Sequence, residues 1–66
     1  MQKLTANDLT MDHVGKRVSF KKEETYIIGK LTDLDPVWCG VAVLSIEGLD
    51  RIFLWDNHEV TIFGGI

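Results

Sequence analysis

Apolar residues recur at every second position along most of this chain, in short runs parted by turn formers. That is the period of a β-strand. Arg17–Phe20 alternates, with Val18 and Phe20 on one side. Lys21–Thr25 reads as a polar turn, and Tyr26–Leu34 is the longest strand-like run. Asp35–Gly40 is expected to be a loop, because Asp35-Pro36 favours a turn. Val41–Ile46 is a run of β-formers, Glu47–Asp50 a tight hairpin connection, and Arg51–Trp55 the next strand. Asp56-Asn57-His58 suits a single 3₁₀ turn before a last strand, Glu59–Phe63, and Gly64-Gly65 would free the tail. Residues 1–15 differ from the rest. Thr5 and Thr10 are candidate caps, with Asp8 and His13 three positions on, and the segment predicts a short helix ended by Gly15.

The expectation is therefore an all-β domain over residues 1–66, with a helical cap over 1–15 and a five-stranded small barrel over 16–63. Strand parity assigns Val18, Phe20, Ile27, Leu31, one face of Val41–Ile46, and Ile52, Leu54, Val60 and Ile62 to the interior. Gly29 lies mid-strand, where it marks a bend or a close backbone approach. A bulge there would reassign its neighbours Tyr26 and Ile28.

Two stretches resemble the SH3-like small barrels, a group that includes Sm-type, KOW and Tudor-type modules. One is Gly15-Lys16-Arg17-Val18, then a turn, then Ile28-Gly29-Lys30-Leu31 with Asp35 closing. The other is Leu54-Trp55-Asp56-Asn57-His58-Glu59-Val60, where a brief turn joins two strands. The resemblance implies a fold and leaves the task open, since this fold hosts many functions. The opening, with Leu4-Thr5, Asp8-Leu9-Thr10 and His13-Val14-Gly15-Lys16-Arg17-Val18, also resembles small uncharacterised proteins of actinobacteria and their phages. That likeness implies an accessory bacterial or phage protein and says nothing about chemistry.

Parity leaves a second set of apolar side chains with no interior to enter: Tyr26, Ile28, Phe53, Trp55 and Phe63, with Trp38 in the neighbouring loop. Each large aromatic buries about 150–250 Å². Together they exceed the few hundred Å² of contiguous apolar surface that a monomer usually shows. Three covers are open: the leading segment of the same chain, a second copy, or a different protein.

Composition narrows the function classes. The chain has 66 residues, 45% hydrophobic content and a net charge of −3. Cys39 is the single cysteine, so no internal disulfide staples the domain, and the thiol fits a reducing cytoplasm. Residues 1–6 are polar, with no apolar signal region after them, and no run approaches membrane-spanning length. Charge is uneven: residues 16–30 carry +3 and residues 31–66 carry −5. Lys16, Arg17, Lys21, Lys22 and Lys30 are the candidate phosphate contacts of an alternative nucleic-acid-binding barrel, with Tyr26 as a stacking platform. The acidic balance and Glu23-Glu24 oppose it, and the Arg-Gly pair of Sm-type uridine pockets is missing. The acidic second half also admits mimicry of nucleic acid, although its acids lie in turns. An aromatic cage for a methylated cation would draw on Tyr26, Trp38, Phe53 or Trp55 with Asp56. Asp12, His13, Cys39, Asp56 and His58 show no paired metal spacing, and Trp38-Cys39-Gly40 has no base or oxyanion device at a recognisable distance. Cys39 is read as a small buried or half-buried packing residue. No catalytic residue, metal or cofactor is assigned. The leading expectation is a non-enzymatic cytoplasmic protein that works by protein contact through Tyr26, Ile28, Trp38, Phe53, Trp55 and Phe63, as a homo-oligomer or against a partner.

Overall fold

A computed structural model of the chain describes residues 1–63. It is all-β, a six-stranded antiparallel sheet with two 3₁₀ turns and no α-helix among the described residues. The strands are β1 (Gln2–Thr5), β2 (Arg17–Lys22), β3 (Thr25–Trp38), β4 (Val41–Ile46), β5 (Ile52–Trp55) and β6 (Glu59–Ile62). Their order across the sheet is β1-β6-β2-β3-β4-β5, so β1 and β5 are its edges and the ladder does not close.

The leading segment departs from the expected helical cap. It forms β1 and two 3₁₀ turns, Ala6–Asp8 and Met11–His13. β1 pairs with β6 through Gln2↔Ile62 to Thr5↔Glu59. An edge strand that is half wet needs little apolar character, and Leu4 is the one aliphatic residue of β1, so alternation could not reveal it. Each turn is fixed by a local bond. Asp8 Oδ2 accepts from the Thr5 N–H at 3.2 Å and the Thr5 hydroxyl at 3.0 Å. His13 Nδ1 accepts from the Thr10 N–H at 3.0 Å. These competing local bonds favour caps and turns over helix interiors.

β3 runs on to Trp38, through the expected loop at Asp35–Gly40. Pro36 is tolerated because the β3–β4 register shifts between Asp35 and Trp38, leaving it in an irregular stretch where no ladder N–H is needed. Two-residue hairpin loops join β2 to β3 at Glu23-Glu24 and β3 to β4 at Cys39-Gly40. All four loop residues have positive φ (49°, 69°, 53° and 77°), the backbone that matches strand twist in such hairpins. The turn placement holds Cys39 exposed at a tip, which corrects its reading as a buried or half-buried packing residue. Between β5 and β6 the chain makes a turn closed by the His58 N–H on the Trp55 carbonyl at 3.0 Å, in place of the expected 3₁₀ turn. Gly64 and Gly65 lie outside the described residues.

β3 belongs to two ladders. Its first half pairs with β2, which pairs with β6 and so reaches β1; its second half pairs with β4, and β4 with β5. Fourteen residues of straight strand would span about 46 Å, but the longest dimension of the molecule is 32 Å. The strand therefore curves, and both ladders turn their inner faces onto one cluster. Val18, Phe20, Leu31, Leu44, Leu54 and Val60 are buried there, with Ala42, Ile46 and Ile62. Ile27 and Ile52 pack against the cluster half-buried. The parity assignment of the interior thus agrees with the structure. Gly29 faces inward with them, opposite Val18. A Cβ on Gly29 would lie 2.6 Å from Ile46 Cγ2. The missing side chain lets Ile46 rest on bare backbone where the strand curves.

Two stability changes follow, both measurable by urea unfolding. Gly29→Ala should cost about 1–3 kcal/mol as an overpacked site, and combined with Ile46→Ala it should cost less than the two single changes added. Replacing Glu23-Glu24 with Asn-Gly should stabilise by about 1 kcal/mol, because left-handed backbone is strained for glutamate.

Candidate functional site: two outer sheet faces

The leading segment does not cover the aromatic rings. Ala6 and Leu9 are buried in the central cluster, and Leu4 and Val14 pack against it, so residues 1–15 stopper the interior. Trp38, Tyr26, Trp55 and Phe53 stay 80%, 75%, 67% and 55% exposed. The six expected contact residues also divide between the two ladders, because β3 changes neighbours midway.

On the outer face of β3-β4-β5, register places side chains in cross-strand rows. Trp38 lies opposite Val41, and Val41 opposite Trp55. The next row is Asp35, Val43 and Phe53. Asp33 stands opposite Ser45 one row on. Val41 is half-buried between Trp38 and Trp55, and Val43 half-buried between Asp35 and Phe53. The result is a ring-bearing apolar strip with two carboxylates on its β3 side. Asp33 Oδ1 also accepts from the Leu34 N–H at 2.8 Å.

The outer face of β1-β6-β2-β3 is mainly cationic, with Glu59 of β6 as a carboxylate on it. One row crosses four strands: Lys3, Thr61, Ser19 and Ile28. Arg17 stands opposite Lys30 on one side of it, and Lys21 opposite Tyr26 on the other. The Lys21 ammonium lies 5.9 Å from the Tyr26 ring centroid. Phe63 is half-buried at the end of the Arg17 row, its N–H donating to the Arg17 carbonyl at 2.9 Å. So Tyr26, Ile28 and Phe63 sit among cations, while Trp38, Phe53 and Trp55 sit beside acids. Of the five basic residues singled out in the sequence, Arg17, Lys21 and Lys30 share this face. Lys16 is half-buried before β2, and Lys22 has the opposite parity. Lys3 joins the face although sequence alone did not suggest it; only the pairing of β1 with β6 could bring it there. Among the described residues one ion pair forms, Lys21 to Glu24 at 3.8 Å, so Lys3, Arg17 and Lys30 make none, although Glu59, opposite Thr5 on β6, adds a carboxylate to this face.

Lys22 does something else. Its Nζ donates to the Phe53 carbonyl at 2.9 Å. That carbonyl is on the side of β5 away from β4, so the ammonium caps the open edge, as lysines do at exposed strand edges. Nearby, His58 Nε2 bonds the Lys21 carbonyl, and its ring meets Phe20 edge-on with centroids 6.3 Å apart. The last turn of the hairpin β2–β3 is thus tied to the segment between β5 and β6 by side chains where no ladder runs.

His13 and His58 are engaged in the bonds above, and among the described residues no group of three His, Cys, Asp or Glu could hold a metal ion. A groove of about 410 Å³ lies between the leading turns and the end of β3, lined by Ala6, Leu9, Met11, Leu34, Pro36 and Val37. It is mainly apolar, and Asp35 is its one ionisable group. No helix among the described residues is long and apolar enough to cross a membrane. Comparison with protein-family models, with curated proteins and with solved structures gave no match to this chain.

The two tryptophans offer a direct check. In dilute solution their emission should resemble that of free tryptophan, acrylamide should quench both, and urea should shift the spectrum little. A strongly blue-shifted emission at the lowest protein concentration would show the rings covered within one chain.

Proposed function

We propose that this chain is a non-enzymatic interaction protein whose curled sheet is an SH3-like small barrel, and that it works by laying the Trp38–Phe53–Trp55 face against protein. The observation that carries this is the exposure of three large rings in two adjacent cross-strand rows. Rings held on a rigid sheet present area at little entropic cost, and tryptophan is enriched among residues that dominate binding energy. The barrel class draws support from the strand order β6-β2-β3-β4-β5 and the one-turn link between β5 and β6. At β5, which carries two of the three rings, contact through side chains is favoured over strand addition, because Lys22 already occupies that open edge. The unpaired thiol of Cys39 fits a reducing cytoplasm, the compartment this function assumes. An accessory role in a bacterium or its phage rests on the resemblance of the leading segment.

A nucleic-acid-binding barrel is the second reading, and one observation favours it: Lys3, Arg17, Lys21 and Lys30 share an outer face with the exposed Tyr26. Against it stands the net charge of −3.

The test is association of the full chain with and without its rings. Trp55→Glu should abolish association with itself or with a captured partner while circular dichroism and the unfolding midpoint stay near wild type, since Trp55 is mostly exposed. An unfolded Trp55→Glu protein would make Trp55 part of the core and remove the proposal. Retention of the wild type on single-stranded RNA that weakens steeply with salt would favour the second reading.

A further inference from the structure

We infer that the partner of the aromatic face is a second copy of this chain, docked head to tail, with the cationic face of one molecule on the acidic, ring-bearing face of the next. The inference rests on the contact function proposed above and adds which surface meets which.

Charge complementarity between the two outer faces carries it. The β1-β6-β2-β3 face presents Lys3, Arg17, Lys21 and Lys30 around an apolar centre of Ile28 and Tyr26. The β3-β4-β5 face presents Asp33 and Asp35 beside Trp38, Phe53 and Trp55. Glu59 and Glu24 temper the first face and the exposed Arg51 just before β5 tempers the second, so the complementarity is one of balance: four cations against two carboxylates on one face, two carboxylates against one cation on the other. Two cationic faces would repel, and two acidic faces would bring four carboxylates together, whereas the mixed pairing puts ammonium and guanidinium groups on carboxylates and apolar centre on rings. Like-charge juxtaposition costs several kcal/mol at an interface, which is how such pairings are selected. Size allows it. A standard interface takes about 800 Å² from each partner, roughly one-sixth of the 4575 Å² surface of this molecule. Both ladders pack their inner faces onto one cluster, so the outer faces look away from it and remain free together. A contact between unlike faces leaves one face unused at each end, and growth continues to a ring or an open chain.

Light scattering on the full chain tests this, from micromolar to near-millimolar protein at low and high salt. The wild type should gain mass with concentration and lose it on adding salt, as the screening length falls from about 10 Å at 0.1 M to about 3 Å at 1 M. R17E/K30E and D33K/D35K should each weaken self-association by roughly tenfold or more through like-charge contacts. The fourfold variant R17E/K30E/D33K/D35K should regain assembly, because both signs are exchanged. Mixing the two double variants should also restore it. Circular dichroism confirms that each variant is folded, and R17Q/K30Q, which reverses no charge, should already weaken assembly if a reversed variant does not fold. If R17E/K30E assembles as the wild type does, the rings meet in a symmetric pair, and the head-to-tail arrangement falls while the contact function stands. A wild type that stays monomeric at every concentration overturns the inference, and so does one whose monomer is retained on single-stranded RNA through the cationic face. Loss of assembly in Trp55→Glu alone, with R17E/K30E unaffected, likewise overturns it.

Discussion

The fold turns on one close approach, that of Ile46 onto the bare backbone of Gly29. β3 has to serve two ladders within a molecule shorter than the straight strand would be, so it must curve, and curvature brings β4 down onto it. A side chain at position 29 would hold the two apart. With none there, Ile46 joins Val18 and Leu31 in a single buried cluster, and the inner faces of both ladders share it. Small domains have little apolar area to spend, and a shared interior is how this one uses most of its aliphatic residues once.

The same curvature decides what is left outside. Every side chain opposite in parity to the cluster faces solvent, and because β3 passes from one set of neighbours to another, its outer residues change company along its length. Tyr26 and Ile28 stand with the cations of β2, and Trp38 with the rings of β5. The basic run of residues 16–30 thereby supplies three cations to one face, and Asp33 and Asp35 stand on the other. Neither face needs a special loop or an inserted element to acquire its character.

Much of this was legible from alternation alone. Val18, Phe20, Leu31, Leu54, Val60 and Ile62 fall inside where parity puts them, because one-residue slips would expose them all. The outward parity of Tyr26, Ile28, Phe53 and Trp55 was legible for the same reason. What escaped were features set by pairing rather than by composition. β1 is too polar to announce itself, and its position beside β6 is a long-range fact. The passage of β3 through Asp35-Pro36 depends on an irregular register with β4, which turn statistics cannot foresee. Cys39 and Glu23-Glu24 adopt positive φ without the Asn-Gly signature, so the hairpins were placed more loosely than they form. The splitting of the six ring and aliphatic residues into two faces needed the register of both ladders.

Lys22 gives the exposed rings a further meaning. The segment Ile52-Phe53-Leu54-Trp55 is apolar throughout and borders open backbone, the kind of stretch that templates cross-β stacking when left bare. One ammonium seated on the Phe53 carbonyl interrupts that template at its middle. The exposed rings of β5 therefore stand on an edge whose main chain is blocked at the Phe53 carbonyl, which breaks the continuous row of free groups that fibril growth needs.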